Sequence, residues 1–247
     1  MAVGPAPPSA AGRSLDPMRF TLVHSPLVGP TTWSLVATRL RSLGHEVAVP
    51  SLVDVAARGR WQQVVEAAAR DACDGSGTHV VVGHSGAGPL LPMIAKRIIP
   101  APAALVFVDA GVPPASGTAD LVPPAFFDHL LGLAVDGRLP RWSDWFGDDV
   151  MADLVQDPVV RSAAAAELPQ LPLSYFAEAV PVAKGWTRMP CAYLLLSDPY
   201  GADLAAAAER GWPVAVEAGK HLDLLNRPEA ITASILELVA AAVPAMT

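Results

Sequence analysis

Short runs of apolar, strand-forming residues alternate along this chain with longer stretches in which apolar residues recur at helical spacing. Strands that are apolar throughout and are separated by helices form parallel sheets covered on both faces. The alternation therefore predicts an α/β fold, with a mostly parallel sheet and helices on both of its faces. The predicted strands are 19–24, 46–50, 79–84, 104–110, 191–197 and 213–219, and the predicted helices lie within 29–45, 61–73, 86–99, 202–211 and 228–243.

The segment between the fourth and fifth of these strands differs in composition from the rest. Residues 112–188 are rich in proline and aromatic residues, with short helical patches and no convincing strand. Because insertions in α/β sheets tend to lie over the strand ends where ligands bind, we predict a helical lid on a core of residues 18–111 and 189–247. Trp142 and Trp145 are then candidate substrate contacts. The alternative is that these aromatic residues only pack the insertion against the core.

Composition limits the function classes. Hydrophobic residues make up 52% of the 247 residues and charged residues 17%, which excludes wholesale disorder. A net charge of −7 with no dense block of Lys or Arg argues against a nucleic-acid partner. No apolar run reaches the roughly 18–20 residues that a membrane span needs, and no Cys/His cluster has the spacing of metal ligands.

The N-terminal segment and the cysteines bear on localisation. Residues 1–17 are rich in Pro and Ala and lack the cationic start and apolar stretch of a secretory signal, which favours a flexible leader. Cys73 and Cys191 lie far apart beside apolar segments, which favours free thiols and a reducing compartment. We therefore expect a cytoplasmic protein.

The stretch HVVVGHSGAGPLL, residues 79–91, places a serine where a buried strand turns into a helix. A sharp turn of this kind lifts one side chain above the sheet edge, beside the backbone N–H groups of the helix N-terminus. Small neighbours are needed because the turn crowds the backbone, and Gly83, Gly86 and Ala87 provide them. The arrangement resembles the nucleophile elbow, G-x-S-x-G, of the α/β-hydrolase superfamily, with Ala87 in place of the last glycine. The resemblance implies that Ser85 is a nucleophile; the alternative is a structural serine in a turn.

A serine hydroxyl is a poor nucleophile unless a base takes its proton. His221 lies just after the last predicted strand, in VEAGKHLDLLNRPEAI, and just before the last helix. This resembles the histidine loop of the superfamily, which implies that His221 is the base. The chain order of serine, acid and histidine also fits.

The acid that orients His221 has two candidates. Asp198 follows the fifth predicted strand, where the superfamily usually has its orienting carboxylate, although commonly one or two residues further along. Asp109 ends the fourth predicted strand, from which some members of the superfamily take their acid. Either carboxylate could bind the second ring nitrogen of His221 and hold its tautomer. We place Asp198 first and keep Asp109 as the alternative.

The loop after the first predicted strand departs from the superfamily pattern His-Gly-x, in which x donates its backbone N–H to an oxyanion. Here the loop begins with His24, Ser25 and Pro26, so a proline without an N–H falls on the donor position. The N–H of Gly86 remains as a first donor, and the N–H of Leu27 or the Ser25 hydroxyl would have to supply the second. Loss of one such donor typically costs roughly 10²–10³ in turnover. The departure therefore counts against ordinary ester hydrolysis and not against the fold.

The resemblance spans about residues 18–243, with the insertion matched only in location, and implies a small lidded enzyme that needs no cofactor. The first hypothesis is a serine hydrolase that forms an acyl-enzyme with an ester, thioester or lactone of a hydrophobic organic molecule. The second, motivated by Pro26 together with the open choice of acid, is a non-hydrolytic isomerase, epimerase, cyclase or lyase that acts on a biosynthetic intermediate. A third is a protein that only binds a ligand, and an intact pair of Ser85 and His221 counts against it.

Overall fold

A six-stranded parallel sheet forms the centre of the protein, which confirms the predicted α/β fold. The computed structural model describes residues 16–146 and 150–243, so nearly all of the predicted leader, 1–17, lies outside the described residues. The strand order is β2-β1-β3-β4-β7-β8, and every neighbouring pair is parallel. The strands, including two outside this sheet, are β1 Arg19–Val23, β2 Glu46–Ala48, β3 His79–His84, β4 Ala104–Val108, β5 Thr118–Asp120, β6 Ala179–Pro181, β7 Cys191–Leu195 and β8 Val214–Val216.

Helices cover both faces of this sheet. The α-helices are α1 Ser34–Ser42, α2 Val53–Ala56, α3 Trp61–Arg70, α4 Leu91–Arg97, α5 Pro124–Leu133, α6 Val150–Leu154, α7 Pro158–Ala166, α8 Ser174–Ala177, α9 Gly201–Glu209 and α10 Pro228–Ala242. No helix in the two described ranges is both long enough and apolar enough to cross a membrane.

Strand β3 shows why the strand sequences are apolar throughout. Val81 packs in one buried cluster with residues of α3 and α4. Val80 and Val82 point the other way and pack in a second cluster with residues of α1 and α10. Because successive side chains of a strand alternate between faces, a strand with helices on both sides needs an apolar residue at every position.

The insertion carries two short strands that its sequence pattern does not predict. β5 and β6 pair antiparallel, Thr118 opposite Pro181, and form a separate two-stranded sheet. The expectation that residues 112–188 contain no strand is therefore wrong. Each strand has three residues, and its partner lies about sixty residues away, so no local alternation marks either one. Trp145, Tyr175 and Phe176 of the insertion are buried in the same cluster as Val81.

Candidate active site

Ser85 stands in a strained backbone conformation directly after β3. Its φ is +56°, in the left-handed region that non-glycine residues rarely adopt outside turns and functional sites. The chain then continues in a 3₁₀-helix, Ser85–Leu90, which leads into α4. A Cβ at Gly83 would lie 2.7 Å from Leu91 Cδ2, and one at Gly88 would collide with the carbonyl oxygen of Gly111. The small residues around the serine are thus required by close packing of the turn.

The buried Asp109 and the partly buried His221 form a hydrogen-bonded pair. The Asp109 Oδ2 and His221 Nδ1 atoms lie 2.7 Å apart, and the Asp109 side chain is fully buried just beyond β4. Its Oδ1 accepts from the backbone N–H groups of Leu196 and Ser197 at 2.8 and 3.0 Å, and the Ser197 hydroxyl donates to Oδ2. Burial alone would raise the pKa of Asp109. The hydrogen bond and the charge of His221, together with the hydrogen bonds from Ser197 and Leu196, instead hold that pKa below its ordinary value.

The tautomer of His221 follows from this pairing. An ionised carboxylate can only accept hydrogen bonds, so Nδ1 of His221 carries the proton toward Asp109. The other ring nitrogen, Nε2, then presents a lone pair, which is the form that a general base requires. Asp109 therefore holds the imidazole in the orientation and tautomer that a serine nucleophile needs.

Asp198, the first candidate for the acid, lies elsewhere. It is exposed at the start of a 3₁₀-helix, Asp198–Tyr200, that begins three residues beyond the end of β7. Asp109, and not Asp198, is hydrogen-bonded to His221, so the prediction that placed Asp198 first is wrong. The reason is the tight turn after β7, which leaves Asp198 facing solvent and brings Tyr200 to the imidazole instead.

Tyr200 is the residue of the site that sequence reasoning missed. Its ring lies parallel to the His221 ring, with centroids 5.2 Å apart and an interplanar angle of 5°. Its hydroxyl lies 3.2 Å from Ser85 Oγ, and within the described chain no hydrogen bond joins Ser85 to His221. Burial raises the pKa of Tyr200 to about 12, only partly offset by the bond with Ser85, so the phenol stays protonated at neutral pH. The one sequence signal for Tyr200 is its position soon after the end of β7, where an acid was expected.

His84 binds the backbone of His221. Its ring is fully buried, and its Nε2–H donates to the backbone carbonyl oxygen of His221 at 3.0 Å. The two rings lie 4.5 Å apart. Burial, followed by the charge of His221, lowers the pKa of His84, so the ring stays neutral. His84 therefore anchors the loop that carries the base.

The loop after β1 lies beside Gly86, as the oxyanion hypothesis requires. A Cβ built on Gly86 would lie 3.0 Å from Ser25 Oγ and 3.6 Å from Pro26 Cδ. Pro26 sits inside a turn closed by the Val28 N–H, which donates to the Ser25 carbonyl at 3.1 Å. The Leu27 N–H donates to Ser25 Oγ at 3.3 Å. This second backbone donor is therefore engaged within the loop, and Gly86, in the first turn of its helix, keeps an N–H without a helical acceptor.

His24, the first residue of the loop after β1, is fully buried, and both of its ring nitrogens are hydrogen-bonded to backbone groups. Its Nδ1–H donates to the Ser25 carbonyl at 2.8 Å, and its Nε2 accepts the Leu52 N–H at 3.0 Å. Burial lowers its pKa to about 4, so it is neutral. His24 ties the oxyanion loop to the segment before α2 and has no ring nitrogen left for a ligand.

The two tryptophans proposed as substrate contacts lie in different surroundings. Trp142 is half-buried, and its ring centroid lies 6.4 Å from that of His221, so the insertion reaches the base. Trp145 is buried between Phe126 and Phe176, and its indole N–H donates to the Pro140 carbonyl at 3.0 Å. Trp145 therefore packs the insertion, and only Trp142 is placed beside the site.

Most of the sequence matches the model of a protein family. The model of the alpha/beta hydrolase family matches residues 16–234, which include every site residue named above. The chain belongs to the alpha/beta hydrolase family. Residues 16–146 and 150–243 hold no group of three or more His, Cys, Asp or Glu placed to bind a metal ion.

Solved structures share this fold at low sequence identity. An extracellular alpha/beta-hydrolase from a Paenibacillus species is 20% identical, with a TM-score of 0.67 over 92% of this chain and 99% of that one. A pyrethroid hydrolase from Sphingobium faniae is 19% identical, with a TM-score of 0.69 over 91% and 98%. A variant of tomato methylketone synthase I complexed with beta-ketoheptanoate is 15% identical, with a TM-score of 0.66 over 92% and 99%. A search of curated proteins gave no significant match.

Proposed function

We propose that this member of the alpha/beta hydrolase family is a serine hydrolase that cleaves an ester, thioester or lactone of a hydrophobic organic molecule. The observation that carries the proposal is the Asp109–His221 pair, 2.7 Å between Oδ2 and Nδ1, at the edge of the sheet from which the strained Ser85 projects. Acyl transfer needs an imidazole with a fixed tautomer and a serine held on a turn beside it.

The reaction would proceed in two halves. The Ser85 hydroxyl exchanges its hydrogen bond with Tyr200 for one with His221, gives its proton to Nε2 and adds to the carbonyl carbon. The oxyanion accepts from the Gly86 N–H, the leaving group departs with the proton from His221, and an acyl-enzyme remains. Water, activated by the same imidazole, then releases the acid and restores Ser85.

The substrate is expected to be hydrophobic because an indole from the insertion borders the base. The Trp142 and His221 ring centroids lie 6.4 Å apart, and residues 112–188 would act as the lid over this site. The pyrethroid hydrolase with the same fold supports hydrolysis only by analogy of fold. We place the protein in the cytoplasm, where Cys73 and the buried Cys191 would stay as the free thiols that they are here.

A fluorophosphonate probe tests the proposal. We expect it to add its mass to the peptide that contains Ser85, and Ser85→Ala to abolish labelling and ester turnover. Ser42→Ala, which changes an exposed serine at the end of α1, is the matched control and should label like the wild type. A folded wild-type protein that leaves the Ser85 peptide unmodified would rule out acyl chemistry at this site.

A non-hydrolytic enzyme on the same scaffold is the second candidate. It is favoured by Pro26, which has no N–H, by the Leu27 N–H bonded within its own loop, and by the Ser85 hydroxyl bonded to Tyr200. In that case His221 would move a proton on a bound biosynthetic intermediate. A panel of activated esters separates the two: Ser85-dependent turnover supports the hydrolase, whereas an inactive panel with tight binding of a hydrophobic ligand supports the second candidate.

A further inference from the structure

Tyr200 touches both groups on which the proposed hydrolysis depends. Its hydroxyl lies 3.2 Å from Ser85 Oγ, and its ring stacks on the His221 ring at 5.2 Å between centroids and 5° between planes. Ser85 is the one hydrogen-bond partner of this hydroxyl in the described parts of the chain. Because the Tyr200 phenol contacts both Ser85 and His221, a substrate atom that reacts with both of these residues lies next to it.

The strand order shows from which side Tyr200 approaches. β3, which carries Ser85, has β1 on one side and β4, followed by β7, on the other. The loop of Ser25 and Pro26 follows β1 and lies against Gly86, whereas Tyr200 follows β7. The phenol therefore faces Ser85 from the side opposite the loop that borders the oxyanion position.

The leaving group of an ester must depart on the side of the base. When the tetrahedral intermediate collapses, the bond between the carbonyl carbon and the leaving oxygen breaks, and its electron pair stays on that oxygen. His221 then gives the oxygen the proton that it took from Ser85, so the oxygen lies within hydrogen-bond reach of Nε2. Tyr200 is stacked against this same ring and its hydroxyl lies 3.2 Å from Ser85 Oγ, so an oxygen placed between Ser85 and Nε2 has the phenol beside it.

We infer that Tyr200 is a catalytic residue whose hydroxyl donates a hydrogen bond to the departing leaving-group oxygen. The inference rests on the proposed hydrolase function. Tyr200 keeps its own proton throughout, since His221 supplies the proton that the leaving group needs. In the resting enzyme the same hydroxyl bonds to Ser85, so it moves from nucleophile to leaving group as the reaction proceeds.

This role predicts selectivity for the leaving group. Hydrogen bonds to ionised acceptors are about twice as strong as neutral ones, so the phenol helps most where the negative charge is concentrated on an alkoxide oxygen. A nitrophenolate spreads its charge over the ring and departs without such help. Tyr200 should therefore matter for alkyl esters and hardly at all for nitrophenyl esters.

The test compares two butanoate esters in Tyr200→Phe, which keeps the stacked ring and removes only the hydroxyl. We expect kcat/KM for the ethyl ester to fall by roughly 10- to 100-fold, and for the p-nitrophenyl ester to stay within about threefold. Fluorophosphonate labelling of Ser85 should keep its rate, because fluoride is the conjugate base of a much stronger acid than an alcohol and departs without help from a donor. Tyr175→Phe is the matched control: it removes a buried hydroxyl that has no hydrogen-bond partner among the described residues, and it should change neither ester.

The outcomes separate this inference from the function on which it rests. Equal losses on both esters would mean that Tyr200 only orients Ser85 or His221, and unchanged kinetics would mean that its hydroxyl does nothing in the reaction; either result overturns the inference alone. A wild-type protein without Ser85-dependent turnover would refute the proposed function, and the leaving-group role with it.

Discussion

Replacing Asp109 with asparagine tests which carboxylate serves His221. In the structure Oδ1 accepts the Leu196 and Ser197 N–H groups, whereas Oδ2 faces His221 Nδ1. An asparagine that keeps its oxygen on the two backbone donors must turn its NH₂ group toward His221. Nδ1 then has to accept a hydrogen bond, so the ring proton moves to Nε2. The imidazole stays in place but can no longer take a proton from Ser85.

The size of the effect follows from this change of tautomer. Where a buried aspartate of a serine triad becomes asparagine, turnover falls by roughly 10⁴, which corresponds to about 5 kcal/mol of transition-state stabilisation. The substitution should cost less in stability than in turnover. The amide keeps two of the four hydrogen bonds of Asp109 and exchanges charge-assisted ones for neutral ones, so we expect the free energy of unfolding to fall by about 1–3 kcal/mol.

The assay measures kcat for an activated ester in Asp109→Asn and in Asp198→Asn, with urea unfolding of both variants. Asp198→Asn is the matched control because its carboxylate is exposed and is not the one bonded to His221. We expect it to keep wild-type kcat within about twofold. A loss of turnover in Asp198→Asn together with near-normal turnover in Asp109→Asn would refute this reading of the site.

Two further predictions concern stability. Gly88→Ala should lower the melting temperature clearly, because its Cβ would meet the carbonyl oxygen of Gly111, whereas Gly132→Ala, on an exposed stretch of α5 with open space around it, should leave the melting temperature unchanged or raise it. Burial lowers the pKa of His24 and His79 to about 4, so between pH 6.5 and 4 the unfolded chain binds protons that the folded chain does not. The free energy of unfolding should therefore fall by about 2 kcal/mol per histidine from pH 7 to pH 5, and a flat profile in urea titrations would contradict this.

The sheet could be predicted from the sequence because burial on both faces leaves a mark at every strand position. Val80, Val81 and Val82 contact the two helical layers alternately. An uninterrupted apolar run of this kind is typical neither of a half-exposed strand nor of a surface helix. The position of Ser85 follows equally well, since the small residues around it are imposed by local crowding. Strands β5 and β6 could not be predicted, because their pairing depends on the packing of the insertion.

The choice of acid depended on contacts that no local pattern records. Asp109 and Asp198 both come soon after buried strands and are equivalent on that basis. They differ because Leu196 and Ser197, from the end of the neighbouring strand, donate three hydrogen bonds to Asp109. Tyr200 was missed for the same reason, since only the turn that exposes Asp198 carries the phenol to the base.

Backbone strain marks the two ends of the proposed catalytic apparatus. β3 and β4 are paired in register up to their last residues, His84 and Val108. The residues that follow, Ser85 and Asp109, have positive φ angles of 56° and 45° respectively. Each such conformation costs roughly 1–2 kcal/mol. Four hydrogen bonds offset that cost at Asp109, whereas among the described residues the side chain of Ser85 has only the bond to Tyr200.

Positive φ alone is not the signal, because Asp136 has it too, at 51°, in a surface turn beside Gly137. What distinguishes the pair is that two adjacent strands end in the same unfavourable conformation at the same level of the sheet. At Ser85 the conformation is held by the packing of Gly83 against Leu91 and of Gly88 against Gly111, rather than by polar contacts of its own. The Ser85 hydroxyl can therefore change its hydrogen-bond partner while the Ser85 backbone stays fixed. The proposed nucleophile needs both properties, because its hydrogen bond moves from Tyr200 to His221 during the reaction.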